Sequence, residues 1–288
     1  IANYADYTRC PERWMVARIV CAADQLEALG GACREQFSPD TPARVVVIGQ
    51  QDALSPEFVL DVRAMDHFRK EFGDVARVEG LETKLTAETI TDWQPDVVAE
   101  GLNVLAGRLV EHELSDIEGY LEAAYTLAWP ETVERILAAL KRHDEEHGQP
   151  GPARIGLKVR LGGADAAAHP PIEPIALAIE ACRDASVPMK FTAGLHHAVG
   201  RADKALGVFV HGFLNVFAAG VFAYARGLDR KAIGSVLATD DGAAFRLDDT
   251  NLYWADLTAT LDDIDAARRE FVTSFGSCSF DEPRADLR

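Results

Sequence analysis

RIGLKVRL at Arg154–Leu161 and VPMKFTA at Val187–Ala193, with a helical stretch at Pro174–Ala185 between them, decide how the fold is read. Both outer runs are short, apolar and rich in β-branched residues, as strands buried in a parallel sheet are. The middle segment has helical length and spacing. Two parallel strands need such a crossover, so the unit reads β-α-β. The same alternation continues outward. Trp14–Ala22, Arg44–Gly49, Val75–Leu81 and Ile117–Ala123 read as earlier strands. Asp24–Leu29, a helix capped by Ser55 with Pro56 at its first position, Pro95–Glu111 and Pro130–His147 read as their helices, the last ending at Gly148 and a Pro-Gly turn. Downstream, Val208–Arg226, Arg230–Leu237 and Leu261–Phe271 read as helices, and Phe245–Leu247 and Ser274–Phe280 as strands. About eight strand–helix units predict an α/β fold, a closed (β/α)8 TIM-type barrel made as one domain over residues 1–288 and irregular in its last quarter. An open doubly wound sheet is the alternative, but Gly49-Gln50-Gln51 is not its glycine fingerprint.

Hydrophobic residues make up 48% of the chain and charged residues 26%, which excludes a disordered tail, a collagen-like chain and a disulfide miniprotein. The net charge of −17 repels phosphate backbones and anionic lipid, so neither nucleic acid nor a membrane is expected as partner. The longest apolar candidate, Gly207–Ala225, is broken by His211 and Asn215 and reads as a buried helix. Residues Ile1–Glu12 lack the basic and apolar regions of a signal peptide. Five scattered cysteines with no Cys-x-x-Cys pair predict reduced thiols in a cytoplasm, not a disulfide framework or a zinc site.

In a barrel, catalytic groups come from the carboxyl ends of the strands. Side chains alternate faces along a strand, so Lys158 and Arg160 share one face and Leu157, Val159 and Leu161 the other. Two cations turned inward are costly unless carboxylates or an anionic ligand meet them. Gly162 and Gly163 follow with bare backbone N–H groups, where a phosphate or carboxylate docks. On the next strand Lys190 and Thr192 share a face, with His196 and His197 just beyond. Desolvation and a neighbouring cation both favour a neutral, nucleophilic amine, the state that a Schiff-base lysine requires. Glu122 is the carboxylate placed to carry protons, or else His196 or His197. Glu79 and Glu82 are further candidates for substrate binding, or cap the next helix. Ser277 and Cys278 at the last strand end complete the substrate-binding set through backbone N–H groups around Gly276. The Cys278 thiol itself reads as a small buried hydrophobe, since no activating partner can be assigned from sequence.

Leu157-Lys158-Val159, the helix Ile179–Ala185 and Met189-Lys190-Phe191-Thr192-Ala193-Gly194 resemble the paired strands of class I deoxyribose-phosphate aldolases. The resemblance spans residues 157–194. It implies that Lys190 stands at the Schiff-base position and Lys158 at the fifth-strand lysine. The chain departs from that family in lacking a lysine-bearing seventh strand and an obvious phosphate loop, and His196-His197 replace the glycine-rich continuation. The runs KFTAGLHH and SFGSCSFDEP also resemble a bacterial protein family that carries no assigned activity, so that likeness implies none.

The first expectation is therefore a lyase of aldolase type, with no cofactor, acting on a small anionic carbonyl metabolite, a homodimer being left open. The alternative is an enolising isomerase or lyase in the same barrel, with a lysine base and a divalent metal held by Glu79, Glu82 and Glu122. The third reading, from another class, is a barrel that binds a small anion or a protein partner and catalyses nothing.

Overall fold

The structure, a computed structural model, describes residues 1–85, 95–123, 125–126, 128–147 and 155–287. The turn expected at Gly148–Gly151 lies outside them. The chain divides into two units, residues 1–123 with 138–156 and residues 124–137 with 157–288.

The first unit alternates helix and strand: α1 (Ala2–Tyr7), β1 (Ile19–Ala22), α2 (Leu26–Gln36), β2 (Ala43–Asp52), α3 (Val59–Phe72), β3 (Ala76–Leu85), α4 (Pro95–Glu111) and β4 (Glu118–Ala123). Its strands pair in parallel in chain order. Val45, Val46 and Val47 are all buried, as a strand covered on both faces requires. Val62, Met65, Phe68 and Phe72 give α3 its buried stripe at helical spacing. The run Trp14–Ala22 is a strand only from Ile19: Arg13–Met15 form a 3-10 turn with Trp14 exposed, and Arg18 is drawn into ion pairs with Glu79 and Glu118. Ser55 does not cap a helix through its side chain, because a 3-10 turn at Pro56–Phe58 precedes α3. Helix α5 (Trp129–His147) contributes residues to both units.

The second unit holds β5 (Ile155–Arg160) from Leu157 on, α6 (Ile172–Asp184) and β6 (Met189–Thr192), then a hairpin of β7 (Arg201–Asp203) and β8 (Val208–Val210). Helices α7 (Phe213–Arg226) and α8 (Arg230–Leu237) follow. An antiparallel sheet of β9 (Phe245–Leu247), β10 (Asn251–Trp254) and β11 (Leu257–Thr260) leads to α9 (Leu261–Glu270), β12 (Val272–Gly276) and α10 (Asp281–Asp286). Strands β5, β6 and β12 pair in parallel in that order. Seven of the described strands thus lie in parallel ladders, four in the first unit and three in the second, but a closed eight-stranded barrel is not shown. The strand at Phe245–Leu247 pairs antiparallel with β10 instead of extending the parallel set. The helix expected from Val208 starts only at Phe213, where the chain leaves the hairpin at Gly212. A Cβ at Gly212 would lie 2.4 Å from the Ala198 carbonyl oxygen, so this junction admits no side chain. No helix among the described residues is long and apolar enough to cross a membrane.

One buried amide ties these pieces together. Asn215 on α7 is fully buried. Its Nδ2 group donates to the carbonyls of Val236 (3.0 Å), Leu237 (3.2 Å) and Thr239 (2.7 Å) at the end of α8, and its Oδ1 accepts from Gly200 N–H at 2.8 Å. Replacing it with leucine strands a buried N–H and several helix-end carbonyls, each costing roughly 1–3 kcal/mol. Asn215→Leu is therefore expected to lower unfolding stability by about 2–4 kcal/mol in urea titrations, and an unchanged midpoint would contradict this role.

His211 adds a pH dependence. Burial pushes its imidazole below the ordinary value of 6.5, and the hydrogen bond from Nε2 to the Pro170 carbonyl, 2.9 Å away, opposes that shift only in part. The unfolded chain therefore takes up a proton at His211 before the folded one does. The stabilising contribution is complete above pH 6.5 and is lost as the pH falls below it, at up to about 1.4 kcal/mol per pH unit. Urea midpoints measured from pH 7.5 down to pH 5.5 should fall less steeply in His211→Gln than in the parent, whereas equal slopes would contradict the assignment.

Candidate active site

The three parallel strands of the second unit put their polar side chains on one face. Cα pairing sets Lys158 beside Lys190 and Lys190 beside Ser274, and one step on sets Arg160 beside Thr192 and Thr192 beside Gly276. Adjacent strands are about 4.8 Å apart, so each row is a line of near neighbours. Leu157, Val159, Met189 and Phe191, all buried, take the opposite face. The face assignment of β12 depends on a register shift between Val272 and Ser274. It turns both Val272 and Phe275 towards α7. Val272 lies where a Cβ on Gly220 would be 2.2 Å away, and Phe275 stacks on Phe213 at 5.1 Å. Ser274 and Gly276 are left facing the lysine side, the re-aiming that a bulge produces.

Lys158 and Lys190 are each only 4% exposed, whereas Arg160 at the strand end is exposed. The Oγ1 of Thr192 and the Oγ of Ser274 are buried hydroxyl oxygens with no hydrogen-bond partner among the described residues. Glycine at 276 keeps the second row open, since a Cβ there would press on Thr192 Cγ2 at 3.3 Å.

Beyond the strand ends the backbone is tightly constrained. A Cβ at Gly162 would lie 2.7 Å from Gly194 Cα. Ala193 and Gly194 both have left-handed φ, 63° and 72°. For Ala193 that conformation costs of order 1 kcal/mol, strain of the kind that collects at functional turns. The sequence suggested an anion cradle at Gly162-Gly163; the structure adds that Gly162 is demanded by packing and that the Gly163 carbonyl accepts from His169 Nε2 at 3.1 Å.

The turn presents His196 and His197 to α10. His196 Nδ1 is 2.5 Å from Glu282 Oε2, and His197 Nδ1 is 3.5 Å from Asp286 Oδ1. Asp286 also accepts from Ala198 N–H at 2.6 Å, and His197 Nε2 meets Arg201. Cys278 is exposed, correcting the reading of its thiol as a buried hydrophobe, and its Sγ lies 3.5 Å from His196 Nε2. Ser277 is next to it, its Oγ accepting from Ser279 N–H at 3.4 Å.

The three glutamates belong to the first unit. Glu79 is held by Arg18 at 2.8 Å and Arg44 at 2.8 Å. Partial burial opposes its ionisation, but hydrogen bonds from Arg44 and Arg18 override this and keep the carboxyl below its ordinary value. Glu82 is buried and pairs in register with Tyr120, while Glu122 pairs with Lys84. Among the described residues no three of His, Cys, Asp and Glu are grouped to hold a metal ion.

Sequence reasoning assigned no role to Ser274, Glu282 or Asp286. A signal for the last two was present: acids four residues apart share one helix face, matching two consecutive histidines.

Compared with family models, curated proteins and solved structures, the chain matches none.

Proposed function

We propose that this protein is a lyase of aldolase type that acts on a small anionic carbonyl compound through a Schiff base on Lys190. The observation that carries the reading is the row Lys158–Lys190–Ser274, with two lysines in register on neighbouring parallel strands and both buried. A strand that needed only to pack would place apolar side chains there, since a lysine amine held away from water needs a partner or a ligand to meet it. The scaffold that goes with this reading is of the (β/α)8 type, whose chemistry sits at the carboxyl ends of parallel strands, and a cytoplasmic setting belongs to the same proposal.

In this mechanism the neutral amine of Lys190 adds to the substrate carbonyl carbon, and loss of water leaves an iminium ion. The electron pair of the adjacent carbon–carbon bond flows into the iminium as that bond breaks, while a base removes the proton of the hydroxyl group that becomes the departing carbonyl. A loop histidine, His196 or His197, is the proton carrier on this unit. Reprotonation of the resulting enamine and hydrolysis of the imine free the second product and restore Lys190. Lys158 stands next to the reacting nitrogen, Thr192 and Ser274 supply hydroxyl groups for substrate oxygens, and Arg160 with the backbone N–H groups of Gly162 and Gly163 holds the anionic end.

Borohydride added together with a panel of small keto and aldehyde acids should reduce the imine and fix the substrate's mass on the peptide that contains Lys190. Lys190→Arg should abolish that adduct. Failure of every compound to add mass, or addition at other lysines with Lys190 unmodified, would overturn the proposal.

A further inference from the structure

Five cysteines are present, all free, and their surroundings differ sharply. Burial raises the thiols of Cys21, Cys33 and Cys182, Cys33 to about 11, which lowers their thiolate fraction at neutral pH. Cys278 is exposed and lies against an imidazole. That imidazole is in turn held by a carboxylate: Glu282 Oε2 is 2.5 Å from His196 Nδ1. Cys278 Sγ lies beside the ring, 3.5 Å from Nε2 and 3.9 Å from Nδ1; with Nδ1 engaged by Glu282, Nε2 is the nitrogen left for the thiol, and a turn of the exposed Cys278 side chain about Cα–Cβ is what brings Sγ towards it. Nucleophile, base and orienting acid thus follow one another in the sequence of contacts that activates a thiol or hydroxyl in covalent catalysis.

The local backbone holds this arrangement from both sides. Strand β12 ends at Gly276, and Ser277 and Ser279 turn the chain into α10, with Glu282 N–H reaching Ser279 Oγ at 3.4 Å. One helical turn later Asp286 binds Ala198 N–H and His197, so α10 grips the histidine turn at two successive levels. On the other side, the left-handed pair Ala193-Gly194 and the buried Leu195 fix where His196 leaves β6. His196 is 29% exposed in its side chain, shielded enough to be held and open enough to meet a ligand at the exposed thiol.

We infer that Cys278, His196 and Glu282 form a thiol–imidazole–carboxylate relay in which Cys278 accepts an acyl group from small esters. The thiol proton passes to His196 Nε2 as Sγ bonds to the carbonyl carbon, and the carbonyl π pair moves onto oxygen. When that pair returns, the bond to the alkoxide breaks and the alkoxide leaves with the proton from His196. The products are an alcohol and S-acyl Cys278. Water then attacks the acyl carbon and gives its proton to His196. The carbon–sulfur bond breaks, the sulfur recovers the proton, and a carboxylic acid is released. Glu282 is a positioning residue that fixes the ring tautomer. No step needs the Lys190 imine, so this inference stands or falls apart from the lyase reading.

The test is acetylation by p-nitrophenyl acetate at neutral pH, read as nitrophenolate release and as the acetylated peptide. The expected result is a burst of nitrophenolate with the acetyl group on the peptide that contains Cys278. His196→Ala should slow the burst roughly a hundredfold, the usual weight of a general base, and free imidazole should restore part of it. Glu282→Ala should slow it less, and Glu282→Asp should regain part of that loss, which a merely structural role would not produce. Circular dichroism confirms that each variant is folded, and Cys278→Ser, at an exposed position, removes the S-acetyl peptide without disturbing the core. Acetylation of Cys278 at the parent rate in His196→Ala, or acetyl groups only on lysines or other cysteines, would overturn the relay.

Discussion

Two ammonium-bearing side chains set side by side on neighbouring strands, at one register position and out of bulk water, are the constraint around which the second unit is arranged. A charged group in such a place gives up hydration worth several kcal/mol unless a partner or a ligand meets it. The opposite face of the same strands offsets this. Leu157, Val159, Met189 and Phe191 are each at most 2% exposed, and burying such side chains contributes roughly 1.5–3 kcal/mol apiece. Strands this apolar on one side can carry a costly row on the other. The cost is a reason to look for chemistry there, since cations that merely sat on a surface would pay none of it.

The surrounding elements make sense as supports for that row. The irregularity in β12 lets two side chains face α7 while Ser274 joins the lysines, and Gly220 and Gly276 are the small residues that admit the strand on either side. Asn215 ties α7 to the end of α8 and to Gly200, at the close of the loop that carries the histidines. The same loop is gripped by α10 through two acids. The C-terminal segment therefore helps to hold the loop that carries the histidines.

The β5–α6–β6 unit was legible because its signals are local: period-two alternation in KVR and MKFT, with a single amphipathic helix between. Alternation alone put Lys158, Lys190 and Thr192 on one face, and the structure has them so. Other features were hidden for physical reasons. The hairpin at Val208–Val210 is apolar and runs into an apolar helix, so only Gly212 marks the boundary, and its meaning lies in a close approach to Ala198 that no local pattern encodes. Phe245–Leu247 carries the composition of a strand, but pairing direction is set by its partner. The contact of His196 with Glu282 joins residues 86 positions apart, and with it the environment of Cys278. Glu79 illustrates the reverse case: a carboxylate that sequence offered to a site is engaged by two arginines from neighbouring strands and their approach.

The central claim is that Lys158 and Lys190 share one buried polar face with Arg160 at its rim, which we propose takes an anionic carbonyl compound. A crystal structure of the protein soaked with pyruvate tests it most directly. The account predicts both lysine side chains on one side of β5 and β6, electron density continuous from Lys190 Nζ to the ligand's carbonyl carbon, and the carboxylate turned towards Arg160. Density for the ligand elsewhere with Lys190 unmodified, or the two lysines on opposite faces of the sheet, would contradict it.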